Sequence, residues 1–147
     1  MDKIVEAQQQ HLDIFLEMGL DLWTDYDYEE LRVTLLDILQ SDKYKVLFYC
    51  TDEEFIAFIY LSVRTDYVEG SDSSPTGYIE GIYVKPGHRR KGISRKLLTE
   101  GEQWLKGKGC KQIGSDIYID NKVSYDFHTS IGFKEAGRLI ALIKDLE

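Results

Sequence analysis

The sequence predicts a single α/β domain built on one β-sheet. Its length of 147 residues suits one domain with a substantial buried core. Segments whose apolar residues recur at helical spacing alternate with short runs of β-branched and aromatic residues. The resulting order over residues 1–147, β-α-α-β-β-β-α-β-α-β, is typical of a sheet covered by helices.

The first half is predicted to contain three strands and two helices. "KIVEA" (residues 3–7) has the composition of a short strand. Apolar residues lie three or four positions apart in residues 9–23 and again in residues 28–39, which predicts two amphipathic helices. Asp27 suits the N-cap of the second helix. The two apolar runs within residues 44–63 flank a short turn and predict a hairpin or a meander.

The second half is predicted to contain three strands and two helices after a polar loop. Turn-forming residues dominate the loop "RTDYVEGSDSSPTG". The elements expected beyond it are the strand "YIEGIYV" (78–84), a helix at about 90–107, the strand "KQIGSDI" (111–117), a helix at 121–131 and the strand "GRLIALIKD" (137–145).

The composition narrows the class of partner. The formal net charge is −8, from 18 basic and 26 acidic residues, and a mainly acidic surface repels nucleic acid and attracts cations. No apolar run approaches the ~18 residues of a membrane helix, and the N-terminus lacks a secretory signal pattern. Cys50 and Cys110 have neither metal-like nor redox-like spacing, which favours free thiols in a reducing cytoplasm. No metal site is expected.

The basic residues are concentrated in one turn. Six of the 18 lie within residues 85–96, where no acid occurs, between a predicted strand and a predicted helix. Free N–H groups at a helix N-terminus, together with cationic side chains, bind anions. The turn therefore predicts a phosphate site. It is neither a Walker loop nor a dinucleotide fingerprint, because GxxxxGK[ST] and GxGxxG are both absent.

This turn resembles the cofactor motif of the GCN5-related N-acetyltransferases, Gln/Arg-x-x-Gly-x-Gly/Ala. Arg89 and Gly92 match the motif, and Ser94 replaces its last residue with another small one. A second motif of that family, Asn-x-x-Ala-x-x-x-Tyr-x-x-x-Gly-Phe, resembles residues 121–133, with Ser and His at the Ala and Tyr positions.

Nearly the whole chain resembles the bacterial aminoglycoside 6'-N-acetyltransferases, most clearly in residues 61–93, 114–116 and 120–135, and in Trp23 with its nearby acids. The resemblance implies a GCN5-related fold, with a mixed, mostly antiparallel sheet flanked by helices. It implies an enzyme that transfers acetyl from acetyl-CoA to the 6' amine of a cationic antibiotic. It also implies a cytoplasmic homodimer. The apolar strand at 137–145 is expected either to pair across the subunit boundary or to be an internal edge strand.

The turn and the strand before it are expected to hold acetyl-CoA. Backbone N–H groups would bind the pyrophosphate, and Lys85 or the arginines the outer phosphates. The Val84 N–H would act as an oxyanion donor to the thioester. A bulge that separates this strand from its neighbour is expected at Gly81. The expected cofactor-binding residues are Ile82, Tyr83, Val84, Arg89, Arg90, Lys91, Gly92, Ile93, Ser94, Arg95 and Asn121.

Glu80 and His128 are the expected catalytic residues. If Ile79 and Gly81 face one side of the strand, Glu80 faces the other, beside the acyl group. There its carboxylate takes a proton from the substrate ammonium or pairs with its charge; the alternative is a solvent-exposed carboxylate. His128 stands where many relatives place the Tyr that protonates the leaving thiolate; the alternative is packing against the cofactor. Neither cysteine has an activating neighbour, so direct transfer is preferred to an acyl-enzyme.

Trp23, Tyr67, Glu80 and Asp116 are expected to bind the polycationic acceptor, although Trp23 equally suits the core. Some relatives carry a carboxylate at the position of Gly137, which would remove one substrate contact here. The acceptor could instead be a polyamine, another small amine or a peptide N-terminus. An alternative hypothesis is that the protein is not an enzyme but a non-catalytic module that binds acyl-CoA or sequesters a cationic drug.

Overall fold

The computed structural model describes all residues from Met1 to Glu147. It contains five strands and four helices, and a short 3₁₀ turn precedes the first helix. The strands are β1 (Asp2–Glu6), β2 (Tyr44–Thr51), β3 (Glu54–Arg64), β4 (Thr76–Val84) and β5 (Ile113–Gly114). The helices are α1 (Leu12–Leu22), α2 (Tyr28–Leu39), α3 (Ile93–Gly107) and α4 (Lys122–Ser130).

The strands form one mixed sheet in the order β1-β2-β3-β4-β5. The first four strands pair antiparallel, and β5 is parallel to β4. β5 pairs only with Gly77 and Tyr78 at the beginning of β4, so the rest of that edge of β4 has no neighbouring strand. The predicted α/β fold with a mixed, mostly antiparallel sheet is confirmed.

Two apolar cores cover the two faces of the sheet because side chains alternate along the strands. Ile59, Leu61 and Leu97 lie in the core between the sheet and α3. Phe15 and Phe58 lie in the core on the opposite face, under α1 and α2. Each of these five side chains is fully buried. The helical spacing seen in the sequence therefore marks the faces that α1, α2 and α3 bury.

Cap residues set where two of the helices begin. Asp27 accepts a hydrogen bond from the Glu30 N–H (2.9 Å) at the start of α2, as predicted. α3 begins at Ile93 and not near residue 90, because Arg90 (φ +64°) and Gly92 (φ +79°) adopt left-handed backbone conformations that a helix cannot include.

The predicted C-terminal strand at 137–145 is wrong for the single chain. No residue beyond Ser130 lies in a helix or strand, and Leu139, Ile140, Leu142 and Ile143 are 80 to 99% exposed. A strand needs a neighbour to accept its backbone hydrogen bonds, and this segment has none within the chain. The strand expected at 111–117 is shortened to β5 because the chain then diverges from β4.

Both cysteines are buried free thiols, as expected. None of the helices combines the length and the apolar character that crossing a membrane requires.

Candidate active site

A cavity of about 1240 Å³ opens where β4 and β5 separate. The N-terminus of α3 and the first turns of α4 complete its walls. It brings together most of the residues predicted from sequence, although these come from distant parts of the chain. The predicted site residues that line it are Trp23, Glu80, Ile82, Tyr83, Val84, Arg89, Arg90, Gly92, Ile93, Ser94, Arg95, Asp116, Asn121 and His128.

The α3 end of the cavity is built to receive an anion. The first hydrogen bond of the helix runs from the Lys96 N–H to the Gly92 carbonyl (3.1 Å), so the N–H groups of Ile93, Ser94 and Arg95 have no acceptor within α3. Gly92 lines the cavity, and a Cβ atom added there would meet nothing within 4 Å. The positive end of α3 therefore faces the cavity.

The cationic side chains of the turn have different surroundings. Arg89 donates from Nε to the Val84 carbonyl (2.7 Å), which ties the turn to the end of β4. Arg90 lines the cavity. Lys91 lies outside the cavity lining, and the Lys85 ammonium lies 3.6 Å from the Glu17 carboxylate. Of the groups predicted to bind phosphate, the backbone of the turn and its arginines therefore remain as candidates, and Lys85 and Lys91 do not.

The unpaired edge of β4 presents backbone donors to the cavity. The Lys85 N–H donates to the Ile56 carbonyl (2.8 Å), which fixes the alternation of the hydrogen bonds between β3 and β4. By that alternation, the N–H groups of Ile82 and Val84 point away from β3. They lie on the side from which β5 has already diverged. This edge can hydrogen-bond an extended ligand, and the Val84 N–H can stabilise a developing oxyanion.

A bulge in β4 falls at Glu80, one residue before the expected position. Tyr60 of β3 pairs with Gly81 and Leu61 pairs with Ile79, so Glu80 is the extra residue. Ile79 faces the α3 core, whereas Gly81 faces Trp23 on the other side of the sheet. The expectation that Ile79 and Gly81 share a face is therefore wrong, because the bulge places Glu80 and Gly81 on the same side.

Protein donors already hold the Glu80 carboxylate. Arg64 donates from Nε and Nη2 to Oε2 (3.0 and 2.9 Å) and from Nη2 to Oε1 (2.9 Å). The Ser62 hydroxyl also donates to Oε2. Glu80 is 22% exposed and Arg64 is 33% exposed, so the ion pair is partly shielded from water. The expected alternative of a solvent-exposed carboxylate does not describe Glu80.

The second predicted substrate carboxylate, Asp116, is held by Tyr78. The Tyr78 hydroxyl donates to Asp116 Oδ2, and the Arg64 guanidinium lies 3.5 Å above the Tyr78 ring. Burial, strengthened by the hydrogen bond to Asp116, raises the pKa of Tyr78 well above its usual value near 10. Tyr78 therefore stays a phenol and a hydrogen-bond donor at neutral pH. Glu80 and Asp116 are linked through Arg64 and Tyr78.

His128 is 8% exposed and is hydrogen-bonded through both ring nitrogens. Nδ1 lies 2.7 Å from the Ser124 carbonyl, which can only accept, so Nδ1 carries a proton. Nε2 lies 2.9 Å from the Ser115 hydroxyl, which also lines the cavity. The ring packs edge-on against Phe127 and Phe133. His128 thus lines the cavity beside Ser115 and is at the same time part of the local packing.

Of the three remaining predicted site residues, two line the cavity and one lies outside it. Trp23 packs against Phe58 (5.6 Å between ring centroids) and also lines the cavity, so it combines the two roles expected of it. Asn121 caps α4 by accepting from the Ser124 N–H (3.1 Å) at the cavity edge. Tyr67 lies outside the cavity lining, is 75% exposed and donates to Glu69.

Four side chains of this site were not predicted from the sequence: Ser62, Arg64, Tyr78 and Ser115. Tyr78 and Ser115 are close in sequence to the predicted site residues Glu80 and Asp116. This proximity was the one feature of the sequence that could have pointed to them. Ser62 and Arg64 reach Glu80 only through the pairing of β3 with β4, which the sequence pattern does not specify.

Known proteins similar to this chain are acetyltransferases. The sequence profile of the acetyltransferase (GNAT) family matches residues 8–133. The aminoglycoside N(6')-acetyltransferase type 1 of Acinetobacter haemolyticus is 34% identical over 145 residues, which cover 98% of this chain and 99% of that protein.

Solved structures agree with the sequence comparison. The structure of AAC(6')-Iy in complex with the bisubstrate analogue CoA-S-monomethyl-acetylneamine has a TM-score of 0.93 and 31% identity, and the match covers 99% of each chain. The aminoglycoside 6'-N-acetyltransferase AAC(6')-Ih from Acinetobacter baumannii has a TM-score of 0.93 and 29% identity over 100% of each chain. With the profile match over most of its length and full-length relatives above 30% identity, this chain belongs to the GNAT family of acetyltransferases.

Proposed function

We propose that this chain transfers the acetyl group of acetyl-CoA directly to the 6' amine of aminoglycoside antibiotics and so confers resistance to them. The observation that carries the proposal is the shape and charge of one cavity. An anion-binding helix terminus at Gly92 stands at one end, two carboxylates at the other, and the donor edge of β4 lies between them. The similarity to aminoglycoside 6'-N-acetyltransferases over the whole chain supports the choice of acceptor.

Acetyl-CoA fits the α3 end of this cavity. The free N–H groups of Ile93, Ser94 and Arg95 suit the pyrophosphate, and Gly92 leaves room for it. The N–H groups of Ile82 and Val84 suit the extended pantetheine arm. When bound, acetyl-CoA supplies the thioester whose acetyl group is transferred.

The acceptor end of the cavity suits a polycation. Glu80 and Asp116 offer negative charge, and the Trp23 indole forms a flat apolar wall beside Gly81. The mainly acidic surface attracts a cationic acceptor by steering that weakens with salt. Carboxylates that pair with the other amines of the drug would hold its 6' amine in position to react.

Glu80 serves charge recognition in this proposal. Three donor atoms of the protein already hold its oxygens, which fixes the position of its negative charge beside the acceptor. His128 and Ser115 form the group that exchanges a proton with the cavity. When protonated, Nε2 can donate to the Ser115 hydroxyl, which in turn can donate its own proton to the leaving thiolate and so release a neutral thiol.

Direct transfer is also favoured by the state of the cysteines. Burial raises the pKa of the Cys110 thiol, which disfavours the reactive thiolate. Neither Cys110 nor Cys50 lines the cavity. Two buried free thiols suit a reducing compartment, and we place the enzyme in the cytoplasm.

The C-terminal segment supports a homodimer. Leu139, Ile140, Leu142, Ile143 and Leu146 are 80 to 99% exposed in the single chain. Monomeric proteins rarely expose so continuous an apolar surface. Pairing of this segment with a second copy would bury these side chains and satisfy its backbone.

The test is thiol release from acetyl-CoA with neomycin, which has a 6' amine, and with paromomycin, which has a 6' hydroxyl and otherwise the same structure. Saturable turnover with neomycin and none with paromomycin is expected. Asp116→Asn should raise the KM for neomycin and leave that for acetyl-CoA unchanged. Turnover of spermidine or of a peptide amine in place of neomycin would overturn the acceptor. Binding of both ligands without thiol release would favour a non-catalytic module.

A further inference from the structure

We propose that Arg64 is a positioning residue that fixes Glu80 for the acceptor amine, an inference that rests on the proposed function. The unusual feature is a cationic side chain placed beside a carboxylate that is meant to receive a cation. The Arg64 guanidinium reaches both oxygens of Glu80 at 2.9 to 3.0 Å. Repulsion between Arg64 and a polycationic acceptor opposes binding of the acceptor. A benefit of Arg64 is therefore expected in a step other than binding.

The hydrogen bonds define which part of Glu80 remains available. Oε2 accepts from the Ser62 hydroxyl and from Nε and Nη2 of Arg64. Oε1 accepts only from Nη2. Because each carboxylate oxygen has two lone pairs, the free acceptor position is on Oε1. An ammonium in the cavity therefore meets Glu80 at one oxygen and from one direction.

Arg64 is itself held in place. Its guanidinium lies 3.5 Å above the Tyr78 ring, and the Tyr78 hydroxyl donates to Asp116. The planar fork of arginine matches a carboxylate on one edge and stacks on an aromatic ring by its face, and a lysine can do neither. Arg64 therefore connects the two carboxylates of the acceptor site and fixes their relative placement.

This arrangement predicts opposite effects on binding and on turnover. Without the guanidinium, Glu80 carries its full charge into the cavity but loses its fixed direction. The acceptor should bind as tightly as before or more tightly, while its amine is held less often in the reactive position. Loss of orientation lowers kcat, since small misplacements cost about tenfold to a hundredfold in rate.

The experiment compares Arg64→Met, Arg64→Lys and Arg32→Met in steady-state kinetics with acetyl-CoA and either neomycin or spermidine. Arg32 is exposed on α2 and outside the cavity lining, so its loss removes the same charge from elsewhere. Ser62→Ala serves as a second, milder variant that removes one donor from Glu80. Thermal unfolding and CoA binding by calorimetry identify any variant that has lost its fold.

We expect kcat to fall at least tenfold in Arg64→Met and to fall less in Ser62→Ala, with the acceptor KM unchanged or lower in both. Arg64→Lys should not restore kcat although it restores the charge, and Arg32→Met should behave as the wild type. A kcat within twofold of wild type in Arg64→Met, or full rescue by lysine, would overturn the positioning role.

The outcomes separate this inference from the proposed function. If the wild type acetylates spermidine but not neomycin, the proposed acceptor fails and the Arg64 comparison proceeds on spermidine. If the wild type acetylates neomycin and the Arg64 variants match it, the positioning role alone fails. If the wild type turns over neither amine, both proposals are overturned.

Discussion

The indole of Trp23 fills the space that a side chain at Gly81 would need. A Cβ atom built on Gly81 lies 2.6 Å from Cζ2 and 3.3 Å from Cη2 of Trp23. Non-bonded carbons do not approach to 2.6 Å, so any side chain here displaces the indole or the strand. Gly81 also follows the bulge at Glu80. The same stretch of backbone thus sets the Trp23 wall and the direction of Glu80.

Gly81→Ala should therefore damage the acceptor site more than the cofactor site. Overpacking of a filled site costs about 1–3 kcal/mol of unfolding free energy. The acceptor KM should rise because Trp23 moves, while CoA binding at α3 stays close to wild type. Urea unfolding and steady-state kinetics measure the two effects. Gly107→Ala is the matched control, because a Cβ there meets nothing within 4 Å and lies at the end of a helix. Equal effects of the two substitutions would contradict the role assigned to Trp23.

Gly92→Ala should weaken CoA binding. Gly92 has φ of +79°, which costs an alanine about 1 kcal/mol, and the added methyl would stand on a residue that lines the cavity. Gly109→Ala carries the same backbone penalty at φ +88°, also with nothing within 4 Å, but lies outside the cavity lining. Both variants should lose similar stability by urea unfolding, and only Gly92→Ala should raise the Kd for CoA by calorimetry. A matching loss of affinity in Gly109→Ala would show that the effect is general destabilisation.

The sequence was sufficient for the elements whose signal is local. The apolar spacing of α1 and α2, the Asp27 cap and the basic turn before α3 depend on neighbours a few residues apart, and the structure has each of them. The family predicted from the two motifs is confirmed by the profile match and by the similar structures.

Features that depend on strand pairing were not predictable in the same way. A one-residue bulge reverses which face a side chain occupies, and no local pattern distinguished Glu80 from Gly81 as its position. The contact of Arg64 with Glu80 joins residues 16 positions apart through the pairing of β3 with β4. The apolar C-terminal segment has the composition of a strand, but no strand of this chain pairs with it.

Ser115→Ala tests the route by which His128 exchanges protons. The substitution removes the hydroxyl that contacts Nε2 and leaves the Nδ1 contact with Ser124 and the packing on Phe133 intact. If His128 acts through Ser115, kcat should fall about tenfold or more. Unchanged kcat, with His128→Gln lowering only the thermal stability, would assign His128 to packing.

Tyr83→Phe should reduce the loss of stability at high pH. Burial, together with the hydrogen bond to Asp21, raises the pKa of Tyr83 to about 12, above its usual value near 10. A group whose pKa is higher in the folded state gives stability that is complete below pH 10 and lost as pH rises to about 12. The variant should lose about 1 kcal/mol at pH 7, where the hydrogen bond is missing, and show a shallower decline from pH 10 to 12 in urea unfolding. An identical decline in both proteins would contradict the raised pKa.

The double substitution Ile140→Glu with Ile143→Glu should convert the proposed dimer to a monomer. The two side chains are 85% and 99% exposed in the single chain and, three positions apart, lie on opposite faces of an extended strand. Whichever face meets the second copy, a charge would be buried there without a partner, which strongly disfavours association. Sedimentation velocity should show a dimer for the wild type and for Val33→Glu, which adds a charge at another exposed apolar position, on α2. A monomeric wild type would leave the apolar C-terminal segment without the partner proposed for it, and a dimeric double variant would place the subunit contact elsewhere.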